Sequence, residues 1–255
     1  MKYRAVLFDA GNTLIFLDYP RLADAGSRVA GVSITPALLE ARAGEAAAAL
    51  ERGSGTTDRE RAAAYLEALF LLAGVRHEDL ESLRTELYRL HRERHLWTGM
   101  HPGTPAALAR LRAAGCRLAV VSNSDGRVES ALEAAGLAGH FEVVVDSALV
   151  GVEKPDPRIF RAALDPLGVR PEDALYVGDI WEVDVVGARA AGMAAALIDP
   201  LERHAGRGVP TAPNVAELVA RLLSQPLDGR PGASGGPIPH HDRPTLAEER
   251  RPFAP

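Results

Sequence analysis

Short apolar runs that alternate with helical patterns limit the fold of this sequence more than any other feature. Helix signals separate the later runs, for example in segment 104–115, where Pro105 lies in the first turn and Gly115 follows the helical pattern. Strands that are apolar throughout and joined by helices are typical of a parallel sheet covered on both faces. We therefore predict a three-layer α/β core of about five parallel strands. The five runs are "YRAVLF" (3–8), "RLAVVS" (117–122), "FEVVVD" (141–146), "ALYVGD" (174–179) and "AAALID" (194–199).

The interval 17–97 is different, because it holds no convincing strand. Its three long helical patterns cover 35–53, 57–75 and 78–97. We predict an all-helical domain inserted into the α/β core, with the core at 1–16 and 98–223 and the insertion at 17–97. Residues 224–255 are rich in Pro and Gly and lack periodicity, so they are predicted to form a disordered tail.

Composition argues against several classes of function. The net charge of −5 comes without a long basic run, so nucleic acid is not an expected partner. No apolar run approaches the roughly 18 residues that cross a bilayer, and no signal pattern opens the chain. The single cysteine, Cys116, lies in "AAGCRLAVV" and is expected to be a buried core thiol. We expect a cytoplasmic enzyme.

Polar side chains stand where the predicted strands end. Asp9 ends the first run, Ser122 and Asn123 the second, and Asp179 the fourth, with Asp184 shortly after. The loop after the third run holds Lys154, one of only two lysines in the sequence. In open parallel sheets, ligands bind at the carboxyl ends of the strands. These groups are therefore expected to share one site.

The charges of this site indicate what it binds. Two carboxylates about 4 Å apart repel by roughly 4 kcal/mol at an effective dielectric constant near 20, so a cation is expected between them. Oxygen ligands without nearby His or Cys favour Mg²⁺, which is commonly shared with a phosphate. Ser122 and Lys154 are then suited to donate to phosphate oxygens.

Four segments resemble, in order and spacing, the motifs of the haloacid-dehalogenase-like (HAD) superfamily of hydrolases. They are "LFDAGNTL", "VVSNS", "VEKPDPRIF" and "YVGDIWEVD". The resemblance extends over about residues 1–222, and the helical insertion resembles a type 1 cap. It implies a Rossmann-like core and, as activity, a Mg²⁺-dependent phosphatase acting on a small phosphorylated molecule.

The resemblance also implies roles for individual residues. Asp9 would be the nucleophile that forms an aspartyl-phosphate, and Thr13 would hold the turn beside it. Ser122, Lys154 and the backbone N–H of Asn123 would hold the transferring group. The implied Mg²⁺ ligands are Asp9, the main-chain carbonyl of Gly11 and Asp179, with Asp184 as a further ligand or as support behind them.

Gly11 departs from the pattern of the family's phosphatases, which usually carry at this position a second Asp that acts as general acid and base. Loss of such proton transfer typically costs 10²–10⁴-fold in rate. Three interpretations stay open: a phosphatase that tolerates the loss, a dehalogenase-like enzyme whose halide needs no acid, or a protein that binds a phosphorylated ligand or partner without turnover. The acids Asp179 and Asp184 argue against the dehalogenase, because that branch does not need Mg²⁺ and usually lacks an acid at the first position of its fourth motif.

The segment "HRERH" places His91 and His95 one helical turn apart, a spacing that could hold zinc. Arg92 and Arg94 would repel a cation there, so a solvated face of a cap helix is the preferred interpretation. Side chains such as Arg21, Asp24 and Arg28 of the insertion are candidates for setting substrate specificity.

Overall fold

The computed structural model of the protein describes residues 2–50 and 58–224. Its main sheet contains six parallel strands, which confirms the α/β class. Five of them match the predicted runs, and the sixth is a two-residue strand that is too short to leave a pattern in the sequence. From one edge to the other they are β5 (Val143–Asp146), β4 (Arg117–Ser122), β1 (Ala5–Phe8), β6 (Ala174–Gly178), β7 (Ala194–Ile198) and β8 (Thr211–Ala212).

The central strand β1 is buried on both of its faces. Val6 and Phe8 pack into one hydrophobic cluster, whereas Ala5 and Leu7 pack into another on the opposite face. Each cluster is closed by helices, which gives the predicted three layers. The first face is covered by α5 (Thr104–Ala113), α6 (Val128–Ala134) and α10 (Val215–Ser224), and the second by α8 (Pro157–Leu167) and α9 (Val186–Ala190). A short helix, α7 (Ser147–Val150), follows β5.

A separate hydrophobic cluster joins the four helices that follow β1. They are α1 (Tyr19–Ala30), α2 (Pro36–Leu50), α3 (Asp58–Leu72) and α4 (Leu80–Glu93). The last three correspond to the predicted helical patterns. Helix α1 was not predicted, although Asp18 caps its start and Gly31 ends it in the left-handed conformation. Gly26 lets α1 approach α3, since a Cβ there would lie 2.5 Å from the ring of Phe70.

The chain enters and leaves this helical region through a two-stranded antiparallel ribbon. Strand β2 (Phe16–Leu17) pairs with β3 (Trp97–Gly99). Gly99 suits this close pairing, because a Cβ would lie only 3.2 Å from the carbonyl oxygens of Phe16 and Leu17. The domain boundaries predicted after residues 16 and 97 fall within this ribbon. The division into domains stays a prediction. Of the predicted tail, Ser224 ends α10, and 225–255 lie outside the described residues.

Two predictions from composition can be compared with the structure. Cys116 is buried, as expected of a core thiol. No helix in the described ranges combines the length and apolar character required to cross a membrane.

Candidate active site

Three neighbouring parallel strands deliver their polar residues to one edge of the sheet. Strand β1 lies between β4 and β6, and Phe8 is in register with Val120 and Val177. Asp9, Ser122 and Asp179 therefore emerge side by side. The predicted convergence of strand ends is seen in the structure.

Lys154 reaches into this edge from the loop between α7 and α8 and is almost fully buried. Its Nζ donates to Asp9 Oδ1 at 2.5 Å, to Asp184 Oδ1 at 2.8 Å and to the Tyr176 hydroxyl at 2.9 Å. Tyr176 in turn donates to the carbonyl of Val121 at 2.8 Å. Tyr176 was not among the residues predicted for the site, although a lone phenol inside the apolar strand "ALYVG" was a usable signal.

Asp184 is buried and has both carboxylate oxygens engaged. Oδ1 accepts from Lys154, and Oδ2 accepts from the backbone N–H of Asp179 at 3.0 Å and of Ile180 at 2.9 Å. A π-helical turn, Trp181–Val185, points Asp184 back toward the strand end. Gly178 makes this approach possible, since a Cβ there would lie 2.3 Å from the carboxylate. These contacts favour a supporting role for Asp184 over direct metal ligation.

In the turn after Asp9, three backbone N–H groups donate to the same carbonyl. The oxygen of Ala10 accepts from the N–H groups of Thr13, Leu14 and Ile15. Among the described residues, no backbone N–H donates to the carbonyl of Gly11, which leaves that oxygen available to a ligand. The hydroxyl of Thr13 is buried without a hydrogen-bond partner in the described part of the chain. Because Thr13 lies in the turn after Asp9, this unpaired hydroxyl is free to donate to a group bound at the site.

The ionised site would contain three carboxylates and one ammonium. Burial raises the pKa of Asp9 to about 6; Lys154 opposes this rise and Asp184 adds to it. Burial also raises the pKa of Asp179 well above its usual value, with Asp9 and Asp184 adding to the effect. For Lys154, burial would lower the pKa, but Asp184 and Asp9 outweigh it and raise the value. The donor set is all oxygen with surplus negative charge, so it fits a hard divalent cation.

Asn123 connects the ends of two segments through its side chain. Its Nδ2 donates to the carbonyl of Lys154 at 3.0 Å, and its Oδ1 accepts from the Lys154 N–H at 2.8 Å. From the sequence, a role was expected only for its backbone. Asp146 was also missed: its carboxylate accepts from the N–H groups of Gly126 and Val128 and so holds the loop after β4.

The prediction that His91 and His95 lie on a solvated face is wrong. Their side chains are 20% and 12% exposed and turn toward Asp125 in the loop after β4. His91 Nε2 is 3.1 Å from Asp125 Oδ2, and His95 Nε2 is 3.9 Å from Asp125 Oδ1. One potential ligand atom from each of the three residues falls within 4.8 Å of the others.

Hydrogen bonding opposes a zinc ion at this cluster. The Nδ1 atoms of His91 and His95 each accept from a backbone N–H at 3.2 Å, so the neutral rings carry their protons on Nε2. A ligating imidazole instead donates from its other nitrogen. The guanidinium of Arg127 also forms an ion pair with Asp125, at 2.7 Å. The cluster is a hydrogen-bonded contact between the helical insertion and the α/β core.

The three candidates for specificity serve contacts within the helical insertion. The guanidinium of Arg21 donates to the carbonyls of Leu90, Arg94 and His95 and so caps the end of α4. Arg28 forms ion pairs with Asp24 and with Glu86. Arg28 and Asp24 are exposed, whereas Glu86 is partly buried. Their involvement in these contacts argues against a role in binding substrate.

Comparison with known proteins places the chain in a family. The model of the haloacid dehalogenase-like hydrolases matches residues 3–192. Human haloacid dehalogenase-like hydrolase domain-containing protein 3 is 31% identical over 239 residues, which cover 87% of this chain and 94% of that protein. A phosphoserine phosphatase of Thermus thermophilus is 46% identical over 101 residues, 39% of this chain and 41% of that protein.

Solved structures agree on the fold. A HAD phosphatase from Thermococcus onnurineus superposes with a TM-score of 0.55 at 26% identity, covering 86% of this chain and 97% of that chain. The putative HAD-hydrolase YfnB of Bacillus subtilis, bound to magnesium, gives a TM-score of 0.61 at 21% identity, covering 88% of this chain and all of that one. The likeness to YfnB concerns the fold alone. With its motifs, its sheet and its family match in agreement, this chain belongs to the haloacid dehalogenase-like hydrolases.

Proposed function

We propose that this hydrolase is a Mg²⁺-dependent phosphatase that cleaves a small phosphate monoester through an aspartyl-phosphate on Asp9. The observation that carries the proposal is the buried ammonium of Lys154 between Asp9 and Asp184, at 2.5 and 2.8 Å. It orients the attacking carboxylate, and it adds a positive charge where a phosphoryl group would dock.

In the first step, a carboxylate oxygen of Asp9 attacks phosphorus, and the bond from phosphorus to the leaving oxygen breaks. Lys154 opposes the protonation of Asp9 that burial favours, and so maintains the nucleophilic form. In the second step, water attacks the aspartyl-phosphate, which releases phosphate and restores the Asp9 carboxylate.

The proposed metal ligands are Asp9, Asp179 and the carbonyl of Gly11. Asp184 would hold the loop behind them through the N–H groups of Asp179 and Ile180. A bound Mg²⁺ would neutralise charge on the phosphate and orient it for in-line attack. The surplus of carboxylates and the available Gly11 carbonyl support this assignment.

The transferring phosphoryl group would be held by Ser122, Lys154 and the backbone N–H of Asn123. Ser122 ends the strand next to β1, and Asn123 fixes the backbone of Lys154 through two hydrogen bonds. This linkage couples two phosphate donors into one rigid unit. The buried hydroxyl of Thr13, which has no hydrogen-bond partner among the described residues, is a further candidate donor.

We further propose that residues 17–97 act as a cap over the core formed by 1–16 and 98–223. The ribbon of β2 and β3 is where the cap would hinge, and the contact of His91 with Asp125 ties it to the loop after β4. A closed cap would exclude bulk water from the transfer to Asp9.

A phosphatase is favoured over a dehalogenase by the two acids at 179 and 184. Several structures of 2-haloacid dehalogenases share the fold at 21–23% identity, which supports the fold alone. Phosphatases from Thermus thermophilus and Methanothermobacter thermautotrophicus are 46% and 39% identical over about 100 residues.

A hydrolysis assay tests the proposal. The protein is incubated with an aryl phosphate in the presence of Mg²⁺, with EDTA, and separately with a 2-haloacid. We expect phosphate release only with Mg²⁺, and its loss in Asp9→Asn. Halide release that is insensitive to EDTA would establish the dehalogenase, and phosphate-ligand binding without any turnover would establish the binding protein.

A further inference from the structure

The space beside Gly11 is bordered by the indole of Trp97. A Cβ at Gly11 would have as its nearest neighbours Trp97 Nε1 at 3.6 Å and Trp97 Cδ1 at 3.7 Å. The donor edge of a tryptophan therefore faces the region that an acidic side chain at this position would enter. Both distances are ordinary van der Waals contacts, so an atom placed at the Cβ position, from a side chain or a ligand, fits beside the indole.

Trp97 is held firmly in this position. It begins β3 and is paired with Leu17 of β2. Its backbone N–H donates to His95 Nδ1 at 3.2 Å, and its ring lies against the His95 ring with 5.9 Å between centroids. The half-buried indole packs against hydrophobic clusters of both the α/β core and the helical insertion. Its edge is thus fixed by both parts of the structure.

The indole N–H has no acceptor among residues 2–50 and 58–224. The nitrogen is not among the fully buried unpaired atoms of the described residues, so a bound acceptor can reach it. The group donates but cannot ionise, so it can stabilise a developing negative charge but cannot deliver a proton. This property distinguishes it from the carboxylic acid usually found at the position of Gly11.

We propose that the Trp97 indole N–H donates a hydrogen bond to the leaving oxygen of the substrate. The proposal rests on the phosphatase function and specifies its substrates: phosphate esters whose leaving oxygen is weakly basic. As Asp9 bonds to phosphorus, the bond to the leaving oxygen breaks and its electron pair stays on that oxygen. The anion departs hydrogen-bonded to Trp97, which keeps its proton, and then takes a proton from water.

A series of aryl phosphates with phenols of graded acidity tests this donor. Trp97→Phe keeps a ring but removes the N–H. We expect kcat/KM to fall about 10- to 100-fold for the least acidic phenol and little for the most acidic one, because a hydrogen bond to a charged oxygen matters more as charge accumulates. The dependence on leaving-group pKa becomes steeper.

Three further variants separate this effect from a structural one. Trp181→Phe removes the only other indole of the chain, whose ring contacts His204 and Arg207, and its slope should equal that of the wild type. Adding Gly11→Asp to Trp97→Phe should flatten the slope again, whereas adding Gly11→Ala should not. A wild-type slope in Trp97→Phe would overturn the proposal for Trp97 and leave the phosphatase standing. A wild-type protein that hydrolyses no ester would overturn both.

Nuclear magnetic resonance provides a second test of this hydrogen bond, on wild-type protein, that does not require Trp97→Phe to fold. The wild type has two indole N–H signals, and Trp181→Phe assigns them. On addition of an aryl phosphonate, a non-hydrolysable analogue, with Mg²⁺, the Trp97 signal should move downfield and exchange more slowly with water. An unmoved Trp97 signal in the presence of bound analogue would refute the hydrogen bond.

Discussion

Lys154 and Asp9, which are 145 positions apart in the sequence, meet at 2.5 Å between Nζ and Oδ1 beneath the carboxyl edge of the sheet. The same ammonium contacts Asp184 at 2.8 Å. One buried positive charge thus opposes the effect of burial on the proposed nucleophile and anchors the segment that follows β6.

Removing this charge should alter the pH dependence of the reaction. In Lys154→Met, Asp9 loses the cation that lowers its pKa, so the acidic limb of the pH–rate profile should move to higher pH. We expect kcat at neutral pH to fall at least about 10²-fold. Lys2→Met, at the only other lysine, serves as control and should leave the profile unchanged. An acidic limb at the same pH in Lys154→Met would contradict the role of this ammonium.

Mg²⁺ affinity should depend on pH through Asp9. Its pKa of about 6 leaves about a tenth of the carboxylates ionised at pH 5 and nearly all at pH 8. Because Mg²⁺ must displace this proton, its dissociation constant should rise about tenfold or more between pH 8 and pH 5. Calorimetric titration at both pH values measures the change, and Asp9→Asn should bind more weakly with a shallower pH dependence. Equal affinities at the two pH values would exclude Asp9 as a ligand.

The contact of His95 with the core should destabilise the protein in acid. Burial lowers the pKa of His95 from its usual 6.5 to about 4, with His91 adding to the effect. Between about pH 6.5 and pH 4, His95 is protonated in the unfolded chain but stays neutral in the folded chain. The free energy of unfolding therefore falls as the pH drops from about 7 toward 4. For His95 alone the loss by pH 5.5 is about 1 kcal/mol.

His95→Gln removes this titration and should flatten the acidic part of the stability curve, measured by urea unfolding. The exposed His77 provides the matched control, His77→Gln, in which the curve should keep its wild-type slope. An unaltered slope in His95→Gln would show that His95 titrates equally in both states.

Gly11→Asp should restore proton transfer. The space around Gly11 admits a Cβ, and the backbone there is outside the left-handed region, so the substitution is compatible with the turn. We expect hydrolysis of esters with poor leaving groups to rise by at least about tenfold, within the range of general acid–base catalysis. Gly11→Asn controls for size without an ionisable group. An unchanged rate in Gly11→Asp would mean that the missing acid does not limit turnover.

The sheet and its polar edge were predictable because both follow from local patterns. Apolar runs such as 117–122 became strands, and a parallel sheet necessarily brings Asp9, Ser122 and Asp179 to the same edge. Helix α1 was missed despite its caps, since Gly26 interrupts its pattern and a glycine inside a helix disfavours that conformation.

Other features depend on tertiary contacts that no local pattern encodes. The engagement of both Asp184 oxygens requires the π-helical turn and the open space at Gly178. His91 and His95 turn to the core because Asp125 lies opposite, not because of their spacing along the chain. The approach of Trp97 to Gly11 likewise arises from the pairing of β2 with β3.

The central claim is that Asp9 becomes phosphorylated, and acid quenching followed by peptide mass spectrometry tests it most directly. With no carboxylate at position 11 to activate water, the aspartyl-phosphate should accumulate during turnover of an aryl phosphate. We predict one added phosphoryl group on the peptide that contains Asp9, dependent on Mg²⁺ and absent from Asp9→Asn. Steady phosphate release without that group, or with a phosphoryl group on another residue, would contradict the claim.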